Sequence, residues 1–212
     1  MSRASASLVL VIAVSLAAGC AAREPQPNAT TTSTTAATPT PSPTPSPTPE
    51  PTPDLVVTSG PDQDVTIAPT RPDALDGPAT AENATLVAKY FVQLLPYVMA
   101  TGDTAHWETL TGPDCKFCAS ARDLALEVAA KDQRITGGAI DVGFGHATAV
   151  EDGVFTASVD FVEHPSQRLS ADGSTLKDDP DATAMRANLE LRWEAGAWTV
   201  QAVWTDDLGP AS

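Results

Sequence analysis

Between Ala79 and Asp103 apolar residues recur at helical spacing. Val87, Tyr90, Phe91, Leu94, Leu95 and Val98 fall on one face of a 3.6-residue repeat. Thr80 or Glu82 can serve the first turn, Gly102 stops the helix, and Pro96, which lacks a backbone donor, is expected to kink it near its end. Asp103 can cap a short second helix, "TAHWETL", with Trp107 and Leu110 inward. Asp114 can cap a third over "CKFCASARDLALEVAAKDQ", with Phe117, Ala121, Leu124 and Val128 as its buried stripe. Gly137 and Gly138 close this helical half.

The period then changes from 3.6 to two. "AIDVGFGHATAV", "VFTASVDFVEH", "MRANLELRWEAG" and "WTVQAVWTD" read as half-buried strands, with hairpin turns at Asp152-Gly153 and Ala195-Gly196. Alternation puts Phe155, Ala157, Val159 and Phe161 inward, then Met185, Ala187, Leu189, Leu191 and Trp193, then Trp198, Val200, Ala202 and Trp204. By the same parity His146 shares the inner face with Ile140, Val142, Phe144 and Val150, while Asp141 and Asp160 face water. "PSQRLSADGSTLKDDPDAT" reads as a long polar connection. Helices followed by an antiparallel sheet make an α+β domain, with the helices packed on one face of about four curved strands.

Two other stretches cannot join a core. Residues 1–19 combine a positive charge at Arg3, an apolar run from Leu8 to Leu16 and small residues, the pattern of a secretory signal. The run is shorter than the roughly 20 residues a membrane span needs. "LAAGC" has the form of a lipobox, in which Cys20 would be acylated and become the new N-terminus; a plain secretion signal is the alternative. Residues 20–78 are expected to form a linker. Its Thr/Ser/Pro alternation offers too little apolar surface to offset the entropy of ordering. In polyproline II form at about 3.1 Å per residue, Pro39 to Pro53 would reach about 45 Å, a stalk between membrane and domain. The α+β domain is then expected over 79–207, with 208–212 a disordered tail.

Composition narrows the chemistry. A formal net charge of −15 repels nucleic acid and anionic lipid headgroups, so no nucleic-acid partner is expected. If Cys20 carries lipid, Cys115 and Cys118 are the two remaining thiols of an exported chain, and an even pair in an oxidising compartment reads as a disulfide. The sharper reading, thiol–disulfide exchange, draws on a C-x-x-C at a helix start beside Lys116, but such motifs normally follow a strand in a βαβ unit. A structural zinc site wants four ligands, and two thiols with His106, His146 and His164 scattered along the chain do not supply them. His106 and His164 read as surface residues. "LKDDPD", with Asp178, Asp179 and Asp181, lacks the ligand spacing of a calcium loop. No phosphate loop, nucleophile elbow or HExxH element occurs, so neither metal nor cofactor is expected.

The stretches "YFVQLLPYVMATGD", "LTGPDCKFCAS", "ITGGAIDV" and "WEAGAWTVQAV" resemble an uncharacterised family of actinobacterial lipoproteins, and the element order resembles the nuclear transport factor 2-like (cystatin-like, SnoaL-like) cone. The resemblance implies helices on a concave sheet, where a polar residue such as His146 can touch ligand; a partly buried histidine satisfied by a neighbouring carbonyl or at the sheet's edge is the alternative. It implies no activity. The expected protein is therefore a lipid-anchored module on the extracytoplasmic face of the cell membrane, binding an envelope protein or small ligand. A cone-fold isomerase or hydratase using His146, or an oxidoreductase using Cys115 and Cys118, are the catalytic alternatives.

Overall fold

A computed structural model describes residues 60–211. Cys20, the signal and the stalk lie outside the described residues. Three α-helices are present among the described residues: α1 (Ala81–Thr101), α2 (Ala105–Leu110) and α3 (Lys116–Ala130). Seven strands follow: β1 (Arg134–Gly137), β2 (Ile140–Glu151), β3 (Val154–Glu163), β4 (Ser166–Leu169), β5 (Thr175–Asp179), β6 (Thr183–Glu194) and β7 (Ala197–Pro210). The fold class is α+β as expected, but the strands form two antiparallel ladders, β1-β4-β5 and β2-β3-β6-β7, rather than one of about four strands.

Helix α1 starts where Thr80 accepts a hydrogen bond from the Asn83 amide and stops at Gly102, whose φ of 70° is a left-handed cap. It continues through Pro96 to Thr101. On α2, Trp107 and Leu110 point inward as expected, and Asp103 accepts from the Ala105 amide. Cys115 rather than Asp114 caps α3, its Sγ accepting from the Cys118 amide at 3.2 Å. The buried stripe of α3 is accordingly Cys118, Ala121, Ala125 and Val128, while Phe117 is half-buried and Leu124 reaches the surface. The Trp107 indole, which donates to the Cys118 carbonyl at 3.1 Å, fixes that rotation.

The core lies between these helices and the inner face of β3, β6 and β7. Phe155, Ala157, Val159 and Phe161 face it as alternation predicts, joined by Ala187, Leu189, Leu191, Trp198 and Val200. Phe91 stacks on Trp107 at 4.3 Å, and Trp198 packs against Phe155 and Trp193. Each large apolar side chain sealed here contributes about 1.5–3 kcal/mol. Ordered chain begins before Ala79: Ala74 and Leu75 join the core, and the Trp198 indole donates to the Ala74 carbonyl at 3.1 Å. At the other end β7 pairs with β6 as far as Pro210, beyond the expected limit at Asp207.

Two of the bulges in the larger ladder overturn the expected alternation. In β2, Val142 lies opposite Phe161 but Gly145 lies opposite Val159, so one extra residue is inserted around Gly143-Phe144. Beyond it the parity flips. Gly145 and Ala147 turn toward α1, and Phe144, His146 and Val150 turn outward, with Phe144 70% exposed. In β7, Val200 faces Leu191 while Ala202 faces Glu190, which places the extra residue at Gln201. Val203 then packs inward and Trp204, expected in the core, is 51% exposed.

The polar connection is also structured, because β4 and β5 form a hairpin that pairs with β1. Gly137 opposite Ser166 and Ile140 opposite Glu163 keep one register across the gap between the ladders. Within that gap the Gly138 amide donates to the Pro165 carbonyl and the His164 amide to the Ala139 carbonyl, both at 2.9 Å. The two strands of this long hairpin therefore turn a corner together, at Gly137-Gly138 on one and His164-Pro165 on the other. Gly137 has φ of 70°, and a Cβ there would run into the Pro165 carbonyl oxygen. The glycine pair that looked like a helix terminator is the corner of the sheet.

Candidate functional site

Past the corner, the small ladder, the C-terminal part of α1 and the middle of α3 line a cleft of about 210 Å³. Leu95, Pro96 and Met99 of α1 and Leu124 of α3 form one wall, and Ile135 and Ile140 form the floor. Glu163, Arg168, Lys177 and Asp179 bring charge to it. The volume is below the range of about 300–1,000 Å³ usual for drug-sized ligands, so the cleft suits a small molecule or one end of a larger one. A second cleft of about 240 Å³ adjoins it, sharing Glu163, Ser166, Lys177 and Asp179 and adding His164, Asp181 and Met185.

Ile135, Arg168 and Lys177 are direct cross-strand neighbours on β1, β4 and β5, so they share one face of the small ladder. Lys177 Nζ lies 2.7 Å from Asp179 Oδ2. Arg168 forms no ion pair among the described residues, and its Nε is buried without a hydrogen-bond partner there. Glu163 sits where both clefts meet. Loss of solvent pushes its carboxyl above the usual range, Asp179 adds to the shift and Lys177 opposes it. Its side chain still touches solvent, so the shift reflects crowding at the cleft mouth rather than enclosure.

The residues singled out from the sequence lie elsewhere. His146 is exposed on the outer sheet face, in a row with Ser158, Asn188 and Trp204, and belongs to neither cleft. Its expected place on a concave, ligand-facing wall is overturned by the bulge at Gly143-Phe144. Asp160 does face outward, where the Arg186 guanidinium donates to both its oxygens and holds its carboxyl below the usual range. His106 is half-buried rather than on the surface. Its Nδ1 lies 2.8 Å from Tyr90 Oη, and desolvation, then Arg71, lowers its pKa. Burial pushes the Tyr90 hydroxyl up to about 12. His164, also expected at the surface, is largely enclosed, with Nε2 2.8 Å from Asp141 Oδ2, while Asp141 accepts the Gly60 amide through its other oxygen. Asp178 accepts from Gln167, so "LKDDPD" is hairpin chemistry. Among the described residues, no group of three or more His, Cys, Asp or Glu side chains is arranged to hold a metal.

The sulfurs of Cys115 and Cys118 lie 1.99 Å apart, a disulfide between residues that are each 2% exposed. It fixes the start of α3 beside β7, where the Gly112 amide donates to the Val200 carbonyl at 2.8 Å. A third cleft, lined by Glu108, Pro113, Cys115, Cys118 and Arg122, passes this bond.

The model of a family of unknown function, DUF6318, matches residues 58–203. The chain belongs to this family. The match begins close to Gly60, the first described residue, and ends within β7. No curated protein matches this DUF6318 chain. Among solved structures, it is similar to the intermembrane space region of the chloroplast protein ARC6, with TM-score 0.45 and 9% identity over 61% of this chain and 97% of that one. It is also similar to an uncharacterised protein with a cystatin-like fold from Caulobacter vibrioides, with TM-score 0.39 and 15% identity over 59% of this chain and 86% of that one. Likenesses this distant transfer no residue roles. Among the described residues, no helix is long and apolar enough to cross a membrane.

Proposed function

We propose that this DUF6318 protein is a cell-envelope lipoprotein, tethered through acylated Cys20 and a Thr/Pro-rich stalk on the extracytoplasmic face of the membrane. Its folded part binds a small ligand rather than catalysing a reaction. The carrying observation is the cleft beyond the sheet corner, where an apolar wall meets a few convergent charged groups. An isomerase or hydratase built on His146 loses its support, because that side chain is outside the cleft. Thiol exchange loses support as well, since both sulfurs are buried and an attacking thiolate needs access.

Two measurements test this reading. Labelled palmitate should enter the wild-type chain and not Cys20→Ser, and the substituted chain should leave the membrane fraction. Ligand-observed NMR with a panel of small amphiphiles should detect binders that Leu124→Trp, which fills the cleft mouth, no longer holds. Binders that survive Leu124→Trp would place the site elsewhere.

A further inference from the structure

We infer that the cleft selects a small amphiphile with an anionic head, a carboxylate by preference, held at Arg168. This rests on the binding role proposed above and adds the chemistry of the ligand. The chain is short of cations, with 12 Lys and Arg against 27 Asp and Glu. Yet Arg168 and Lys177 stand directly opposite each other across β4 and β5, both lining the same cleft. Like charges in that position oppose strand pairing, so the pair calls for a compensating anion.

Asp179 supplies one, but to Lys177. Arg168 forms no ion pair among the described residues, although Glu127 stands near enough to feel its charge, and its buried Nε has no acceptor there. A guanidinium is suited to receive a carboxylate through two parallel hydrogen bonds, here from its two terminal nitrogens, because Nε itself is closed to solvent. Leu95, Met99, Leu124, Ile135 and Ile140 offer apolar surface to the body of the same ligand.

The acidic groups nearby do not defeat this arrangement. Asp179 is already paired with Lys177. Glu163 holds its proton more readily than an ordinary glutamate, because it is desolvated and faces Asp179.

The test is calorimetric titration of the full chain carrying Cys20→Ser, handled without detergent, with octanoate, octanol and octylamine. Octanoate should bind about tenfold or more tightly than octanol, as a charge-assisted hydrogen bond allows. Arg168→Met, which keeps the apolar stem, should abolish that preference by weakening octanoate far more than octanol. Equal binding of octanoate and octanol would overturn the anionic head and leave the apolar cleft standing. Preference for octylamine would overturn it too, by assigning the head to Glu163 and Asp179. If none of the three binds, the binding role falls as well. The comparison within the unsubstituted cleft decides the matter even if Arg168→Met does not fold.

Discussion

Helix α1 presents one face to a filled core and the adjoining face to an open cleft. Val87, Tyr90, Phe91, Leu94 and Val98 are sealed against the inner faces of β2, β3 and β6, where Leu189 and Leu191 are fully buried. One residue along the helix, Leu95, Pro96 and Met99 meet a space bounded by charged side chains of the small ladder. Both spaces are walled by the same long hairpin, and the corner at Gly137-Gly138 and His164-Pro165 separates them. Before the corner the hairpin carries apolar residues that interdigitate with α1. Beyond it, β4 and β5 carry Arg168, Lys177 and Asp179, which cannot fill an apolar gap. The comparison teaches that the cleft is a consequence of where the apolar pattern stops while strand pairing continues.

The largest expected effect lies on the core side. Trp198→Ala removes the packing against Phe155 and Trp193 and the bond to Ala74, and should destabilise the fold by about 3–5 kcal/mol in denaturant unfolding. Leu124→Ala at the cleft should stay within about 0.5 kcal/mol of wild type, as surface substitutions do. Equal costs would dissolve the distinction between the two spaces. Next comes the corner: Gly137→Ala, strained in φ and in collision with Pro165, should cost about 1–3 kcal/mol, and a smaller loss would mean that the corner relaxes easily. Reducing Cys115–Cys118 opens only a short loop and should cost about 2 kcal/mol at most, read as a lower melting temperature with reductant.

The smallest effect is the pH dependence of Glu163. Its folded pKa lies above the unfolded value, so the native state binds its proton more tightly. The resulting stability is present below the unfolded pKa and is lost as pH rises through the folded one. Glu163→Gln should therefore match wild type in acid and melt slightly higher near neutrality. A variant that melts lower near neutrality would place a stabilised carboxylate there instead.

How much of this could be read in the sequence follows from the same contrast. The stripe on α1, the inward face of β3 and most of β6 follow from apolar period alone, and both hairpin turns from their Asp-Gly and Ala-Gly pairs. Beyond a bulge, period misleads: His146 and Trp204 were expected inside because alternation counts residues, whereas a bulge inserts one. Glycines flanking Phe144, and the three-residue step from Val200 to Val203, are the local signals of those insertions. Strands β4 and β5 carry no apolar alternation, since neither face is sealed, and Ser, Asp and Lys made them read as a loop. The cleft itself draws on α1, α3 and five strands. Its residues are individually ordinary, and pairing across the corner alone brings Arg168 to Ile135 and Lys177.

The most direct measurement is a methyl spectrum of the chain labelled at methionine, recorded during titration with octanoate. Met99 lines the cleft, and Met185 lines the adjoining one. The account predicts a saturable shift of the Met99 methyl signal with Met185 nearly unmoved. A shift at Met185 alone, or at neither, would contradict it.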